Sequence, residues 1–237
     1  GRLTAPLVFA GAVAKQALAQ YGIVVGSHIL QINDIQEERF NPMGVSDAEL
    51  AELHAKKFAV MDDTVGEKMQ ERILQAKSEL NSVGGVVEAI ALHLPAGIGA
   101  PYFDSVESML SHALFSVPAV KGIEFGDGFG FAGLTGAEAN DALHYVDGKV
   151  LALTNHNGGV TGGITNGMPL VVRVAIKPTP SIAREQQTVS LKEQADTTLA
   201  IVGRHDPCIV QRAVPVIEAV VAWTLWDLLL EAKKWEK

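Results

Sequence analysis

The sequence predicts an α+β fold in which apolar helices lie buried against sheets. Two long tracts, residues 6–20 and 208–230, carry Ala, Val, Leu and aromatic side chains around most of a helical circumference. That pattern signals burial on several sides rather than one amphipathic face. Between them, β-branched runs alternate with capped polar helices, and a helical layer held between sheets accommodates both. Each apolar tract follows a Gly-Arg pair, Gly1-Arg2 and Gly203-Arg204, a hint of a pseudo-repeat that chance explains as well.

Taken in order, Pro6 opens the first helix and Gly22 ends it. Residues 23–35 alternate in part and read as one strand or two. Ser46-Asp47-Ala48-Glu49 is a capping box for a short helix to about residue 57, and Asp63 or Thr64 caps a longer one to about residue 82. Gly84-Gly85 breaks that helix ahead of a strand over 86–94. Asp104 or Ser105 starts a helix to about Phe115, and 119–125 is a strand. Residues 126–167 are rich in Gly, Asn and Thr, too poor in apolar periodicity for regular core elements, and read as a long functional or mobile loop. Residues 168–176 form a strand that Lys177-Pro178 ends. A polar stretch then leads to Asp206-Pro207, a good N-cap and N1 pair for the last helix, which Pro215 interrupts or kinks.

The 237 residues, 48% hydrophobic and 19% charged, suit a globular chain able to bury a core without staples. A net charge of -8 argues against nucleic acid or an anionic membrane as main partner. Basic residues nevertheless cluster late: residues 167–212 hold six bases against four acids, whereas 100–167 hold seven acids and two lysines. Cys208 is the only cysteine, so there is no internal disulfide and no Cys-rich metal site, and a cytoplasmic setting fits. No apolar stretch reads as a membrane span and no secretory leader is evident. The start at Gly1 rather than Met suggests a processed product, an expressed piece or a fragment.

Four segments could carry chemistry. In Gly203-Arg204-His205-Asp206-Pro207-Cys208, two basic residues stand ahead of a helix start, where backbone N–H groups attract anions; a capped helix with surface charges accounts for it equally well. Residues 154–167 place five glycines among amides and hydroxyls, suited to close approach to a ring or phosphate, or to a flexible connection. Lys177-Pro178-Thr179-Pro180-Ser181 fixes the backbone while an ammonium and two hydroxyls project. That is a holder for a phosphate or a flavin's oxygens, or a turn with a solvated lysine. Glu124 and Asp127 could be catalytic carboxylates, although edge and turn positions account for them more simply. His28, His54 and His93 show no metal spacing and read as structural; Cys208 reads as inert packing.

Read together and in order, these segments resemble the chorismate synthase family. The matching pieces are Arg2-Leu3-Thr4-Ala5, Asn81-Ser82-Val83-Gly84-Gly85-Val86-Val87-Glu88, Ala119-Val120-Lys121-Gly122-Ile123-Glu124-Phe125-Gly126-Asp127-Gly128-Phe129, and Gly136-Ala137-Glu138-Ala139-Asn140-Asp141. They continue through residues 154–167, Arg173-Val174-Ala175-Ile176-Lys177-Pro178-Thr179, and residues 203–215. The resemblance implies a β-α-β sandwich with helices enclosed between antiparallel sheets, a homotetramer, and a single domain over 1–237 that lacks the family's N-terminal segment. It implies a 1,4-anti elimination of phosphate from 5-enolpyruvylshikimate 3-phosphate, giving chorismate, with reduced FMN as cofactor and NADPH associated with it.

Position by position, the resemblance puts Ala119, Gly162, Lys177, Pro178, Thr179, Pro180, Ser181 and Arg204 at FMN contacts. Arg2 and Arg204 fall on the substrate-anion side, and Asp206 falls at the acid beside the flavin that takes a proton. It implies no metal. The family's histidine pair and arginine cluster lie in a segment preceding the position of Gly1. Asn81 replaces a usual Asp, Pro118 an Asn of some members, and His156-Asn157 a more usual Asn-Ser. Two functions follow: the C-terminal part of a flavin-dependent lyase, or a truncated FMN-binding or assembly module with no chemistry of its own.

Overall fold

A computed structural model describes residues 2–203 and 205–233. The chain forms α1 (Ala5–Ala19), β1 (Val24–Ile32), β2 (Ile35–Gln36), α2 (Asp47–Ala55), α3 (Asp63–Ser78), β3 (Gly85–Leu92) and α4 (Val106–Phe115). There follow β4 (Val120–Phe125), the short hairpins β5–β6 (Leu143–Val146, Lys149–Ala152) and β7–β8 (Val160–Thr161, Ile164–Thr165), then β9 (Leu170–Ile176). A hairpin β10–β11 (Gln186–Ser190, Ala195–Leu199) and the long helix α5 (Val210–Lys233) complete it.

The main sheet is antiparallel with strand order β2-β1-β3-β9-β4. One face, carrying Val25, Ile29, Val87, Ala89, Val172 and Val174, packs on α5. The other face is covered in part by α2, where Leu50 and Leu53 meet Phe40, Ile90 and Val171. Helices α1 and α4 pack on α5. Gly11 makes the α1 contact possible, because a Cβ there would lie 2.2 Å from the Ala219 Cβ. Beside it a buried carboxylate, Glu218, ties four elements together: it meets Lys15 of α1, accepts from Ser27 Oγ of β1 at 2.7 Å, and faces His54 of α2 at 3.6 Å.

A row of charged side chains crosses the α2 face of the sheet. His28, Glu88, Arg173 and Glu124 occupy directly opposed positions on β1, β3, β9 and β4. His28 Nε2 lies 3.0 Å from Glu88 Oε2, and its Nδ1 bonds Glu37. Arg173 donates to Glu88 at 3.3 Å, to Glu124 at 2.8 Å and to the Gly126 carbonyl. Glu88 also accepts from Phe40 N at 2.7 Å, and Glu37 from Met61 N and Asp62 N at 3.0 and 3.1 Å. Burial disfavours the His28 imidazolium, yet hydrogen bonds and charge from Glu37 and Glu88 outweigh it and raise its pKa above the ordinary value.

Several expectations are corrected. Helix α1 is not buried on several sides: Gly11, Ala14 and Leu18 are inside, while Phe9 and Val13 are exposed, because α5 alone covers it extensively. Helix α3 is capped by Asp62, one residue earlier than expected, and stops at left-handed Leu80 before reaching Gly84. Residues 126–167 do hold regular elements, two small hairpins and a 3-10 turn over Gly128–Gly133, all outside the main sheet. The β10–β11 hairpin was not anticipated: β11 is exposed throughout, so no face is apolar enough to give a period. Helix α5 begins at Val210, after Asp206-Pro207, and continues through Pro215. It is also long and apolar enough to cross a membrane by length and composition, contrary to the sequence reading, although 67% of its most apolar window is buried inside the fold.

Two outcomes are expected. His28→Gln removes the cation between Glu37 and Glu88, leaving Arg173 to pair Glu88 alone, and should cost about 3–5 kcal/mol in urea unfolding; a cost under about 1 kcal/mol would remove the row's structural role. In the wild type, the His28 contribution is complete below the ordinary imidazole pKa of 6.5 and declines as pH rises through the higher folded-state value. Gly11→Ala should destabilise by about 1–3 kcal/mol, and Ala219→Gly in the same chain should recover only a minor part of that loss, because the Ala219 Cα would still lie 2.4 Å from the added Cβ.

Candidate active site

Four segments meet at the end of the sheet where β3 and β4 begin and β9 finishes. Pro178 has no N–H to continue a ladder, so the chain leaves the sheet after Ile176. Lys177 N donates to the Ala119 carbonyl at 2.9 Å, and Ala119 holds a left-handed backbone (φ 76°) that a non-glycine residue adopts only under constraint. Gly84 lies under the corner: a Cβ there would come within 2.4 Å of the Ile176 carbonyl oxygen and 3.0 Å of Pro178. Ser82 Oγ donates to the Thr179 carbonyl at 2.6 Å, and Val83 N to the Pro207 carbonyl at 2.8 Å. These bonds stitch residues 81–85, Ala119, the Lys-Pro-Thr corner and the loop before α5 into one site.

Lys177, Pro178 and Pro180 are exposed there, and Thr179 and Ser181 half-buried. The Thr179 hydroxyl is itself buried and has no hydrogen-bond partner, an arrangement that leaves a donor and an acceptor for a ligand. Beside the corner, a cleft of about 590 Å³ is lined by Lys77, Asn81, Ile182, His205, Asp206 and Arg212.

Asp206 is not the N-cap of α5, which starts four residues later. Its Oδ1 accepts from Cys208 N at 3.3 Å, a local turn bond, and its Oδ2 stands 2.9 Å from Arg212 Nη1. That second contact is an ion pair without hydrogen-bond alignment, since Oδ2 is otherwise buried and unpartnered. His205 Nε2 bonds the Ile201 carbonyl at 2.8 Å. Burial, with the Asp206 charge adding to it, pushes the Cys208 thiol up to about 11, which agrees with inert packing.

The remaining expected residues fall elsewhere. Gly162 is at the turn of β7–β8 with open space around it (φ 64°). Its neighbour Gly163 accepts from Val106 N at the start of α4, whereas Ala119 follows the end of that helix. A ten-residue helix, roughly 15 Å, therefore separates Gly162 from the Lys-Pro-Thr corner. Arg2 is exposed ahead of α1, with no hydrogen bond or ion pair to the corner among the described residues. Arg204 lies outside the described residues.

Glu124 and Asp127 have structural partners. Burial works against the Glu124 carboxylate, but bonds from Arg173 and Phe129 N prevail and lower its pKa; Asp127 pairs with His156 Nδ1 at 2.6 Å. Sequence reasoning missed Lys77 and Arg212 in the cleft. It also missed the buried row, for which one signal existed: Glu88 and Arg173 each interrupt an otherwise apolar strand.

Comparison with known proteins identifies the family. The chorismate synthase family profile matches residues 1–230. A chorismate synthase of Thermococcus gammatolerans is 46% identical over 237 residues, all of this chain and 64% of that protein. That of Pyrococcus abyssi is 44% identical over 236 residues, again 64% of its length. A crystal structure of chorismate synthase superposes with a TM-score of 0.78 at 30% identity, covering 96% of this chain and 63% of that one. The chain thus spans somewhat under two thirds of the length of these relatives. With its α+β architecture and matches from end to end, the chain belongs to the chorismate synthase family.

Proposed function

We propose that the polypeptide carrying this chain eliminates phosphate from 5-enolpyruvylshikimate 3-phosphate to give chorismate, with reduced FMN as cofactor. The observation that carries this reading is the convergence of Ala119, the Lys177 corner and Asp206 around Gly84. The residues suit a flavin: a buried, unpartnered Thr179 hydroxyl stands between two prolines that fix the backbone, with the Lys177 ammonium at the rim. When bound, reduced FMN supplies electron density to the substrate as the carbon–oxygen bond to phosphate breaks.

This chain's own residues bind and orient. Lys177, Pro178, Thr179, Pro180 and Ser181, with Ala119, hold the cofactor. Arg2 and Arg204 stabilise the anionic substrate and the departing phosphate, where removal of one such donor typically costs on the order of 3 kcal/mol of barrier. The Asp206 carboxylate, at the wall of the cleft, accepts the proton that the substrate carbon loses as the phosphate departs. Gly162, a helix length away on the same chain, joins the set only by its family position. A homotetramer, NADPH as associated reductant, a cytoplasmic setting, and no nucleic-acid or membrane partner complete the reading; the net charge of -8 supports the exclusion of nucleic acid.

The full-length protein, supplied anaerobically with reduced FMN and the enolpyruvyl phosphate, is expected to release phosphate and chorismate in equal amounts. FMN binding without phosphate release would instead support a binding or assembly module. Asp206→Asn should slow turnover by about 10²-fold or more while FMN affinity changes little; equal losses in both would reduce Asp206 to a loop-shaping residue. Lys177→Ala should weaken FMN binding, with the loss shrinking at high salt as expected of a charge contact; a salt-independent loss would count against it.

A further inference from the structure

We propose that Arg212 is a positioning residue for the Asp206 carboxylate, an inference that rests on the role given to Asp206 above. The loop before α5 has few restraints, and all of them act on its backbone or its neighbours. Val83 N holds the Pro207 carbonyl at 2.8 Å, Ile201 N the Ile182 carbonyl at 3.3 Å, and the His205 ring the Ile201 carbonyl. None of these touches the Asp206 side chain, whose two oxygens have one contact each among the described residues. Oδ1 accepts from Cys208 N at 3.3 Å, a long bond that leaves the torsion of the carboxylate loosely defined. Oδ2 faces Arg212 Nη1 at 2.9 Å.

The position of Arg212 in α5 explains why it can reach. Side chains on a helix lean toward its N-terminus, so the third residue of α5 projects back over the loop that precedes it. The guanidinium is 74% exposed while the Asp206 side chain is 21% exposed. The arginine therefore grips the carboxylate from the solvent side of the cleft and leaves the inner side to a ligand. Lys77, which also lines the cleft, comes from α3 and makes no ion pair with Asp206 among the described residues. With the arginine in place, the buried Oδ2 is held by the facing charge, which opposes rotation of the carboxylate. Without it the carboxylate can turn about its side-chain torsions at little cost.

The test compares Arg212→Ala, Arg212→Lys, Asp206→Asn and the Ala/Asn double variant in the full-length protein. Arg212→Ala should lower kcat by about 10- to 100-fold, the loss expected when a catalytic group is misplaced by about an ångström. KM for the substrate and affinity for FMN should stay within a few-fold. Added guanidinium ion should restore part of the Arg212→Ala loss, and Arg212→Lys should keep an intermediate rate because an ammonium lacks the planar fork. The double variant should be no slower than Asp206→Asn, since the arginine acts through that carboxylate.

A second readout needs no turnover. In the protein without ligand, amide hydrogen exchange at Cys208 should quicken several-fold in Arg212→Ala, because its acceptor is freed. Unchanged exchange together with additive kinetic losses would overturn the proposal. Quickened exchange with Asp206→Asn fully active would leave Arg212 holding the carboxylate and overturn instead the proton-accepting role of Asp206.

Discussion

Three carboxylates and two cations, Glu37, His28, Glu88, Arg173 and Glu124, lie in one line beneath α2, and the rest of the molecule is arranged around that line. Charges taken out of water are tolerated only when each is paired and bonded. With His28 protonated, a state its raised pKa favours, every neighbour in the row is of opposite sign. Such a row defines strand register more strictly than apolar contacts can, because a slip of one residue sends every side chain to the other face. A slip of two between β3 and β9 would keep the face but set Arg173 opposite Val86 or Ile90 instead of Glu88, taking a buried cation away from its carboxylate. Register on β9 in turn decides where Ile176 ends and Lys177 leaves the sheet. The row thus stands about four residues from the candidate site and still determines its position.

Close approach is the second constraint, and glycine supplies it at two places with different consequences. Gly11 lets α1 lie directly on Ala219, which brings Lys15 against the buried Glu218 carboxylate. Gly84 lets the backbone of the β3 approach pass under Ile176 and Pro178, so that Ser82 and Val83 can bond Thr179 and Pro207. In the first case the small residue builds the core. In the second it joins two loops that no strand or helix would otherwise hold together, and loops so joined can present side chains with some precision.

Much of this was legible in the sequence. The capping box at Ser46 and the helix start at Ser105 were marked by residues whose side chains bond their own first turns, and those bonds form. The strand over 168–176 was legible because a proline closes it. The burial of α1 was misjudged because composition reports what a helix could bury, not how many elements arrive to cover it. Asp206-Pro207 was misjudged for a related reason. The pair is a sound local cap, but Val83 N takes the Pro207 carbonyl and Cys208 packs into the core, and these tertiary contacts delay the helix to Val210. The convergence of Ala119, Lys177 and Asp206, far apart in sequence, has no local signal. Only pairing of β4 and β3 with β9 creates it.

The delayed helix start has a chemical consequence. An aspartate acting as an N-cap turns its oxygens onto backbone N–H groups at N2 and N3, where they are held by the helix and drawn toward its positive end. Such a carboxylate is stabilised as the anion and spent on structure. Asp206, four residues ahead of α5, accepts one long bond from Cys208 N and keeps the second oxygen at the cleft wall, faced by an arginine that sits mostly in solvent. A carboxylate so placed can exchange a proton without disturbing a helix end. Asp206-Pro207, a cap in isolation, is thus kept off the helix end by the backbone bond from Val83 to the Pro207 carbonyl, which leaves the carboxylate available for the proton-accepting role proposed for it.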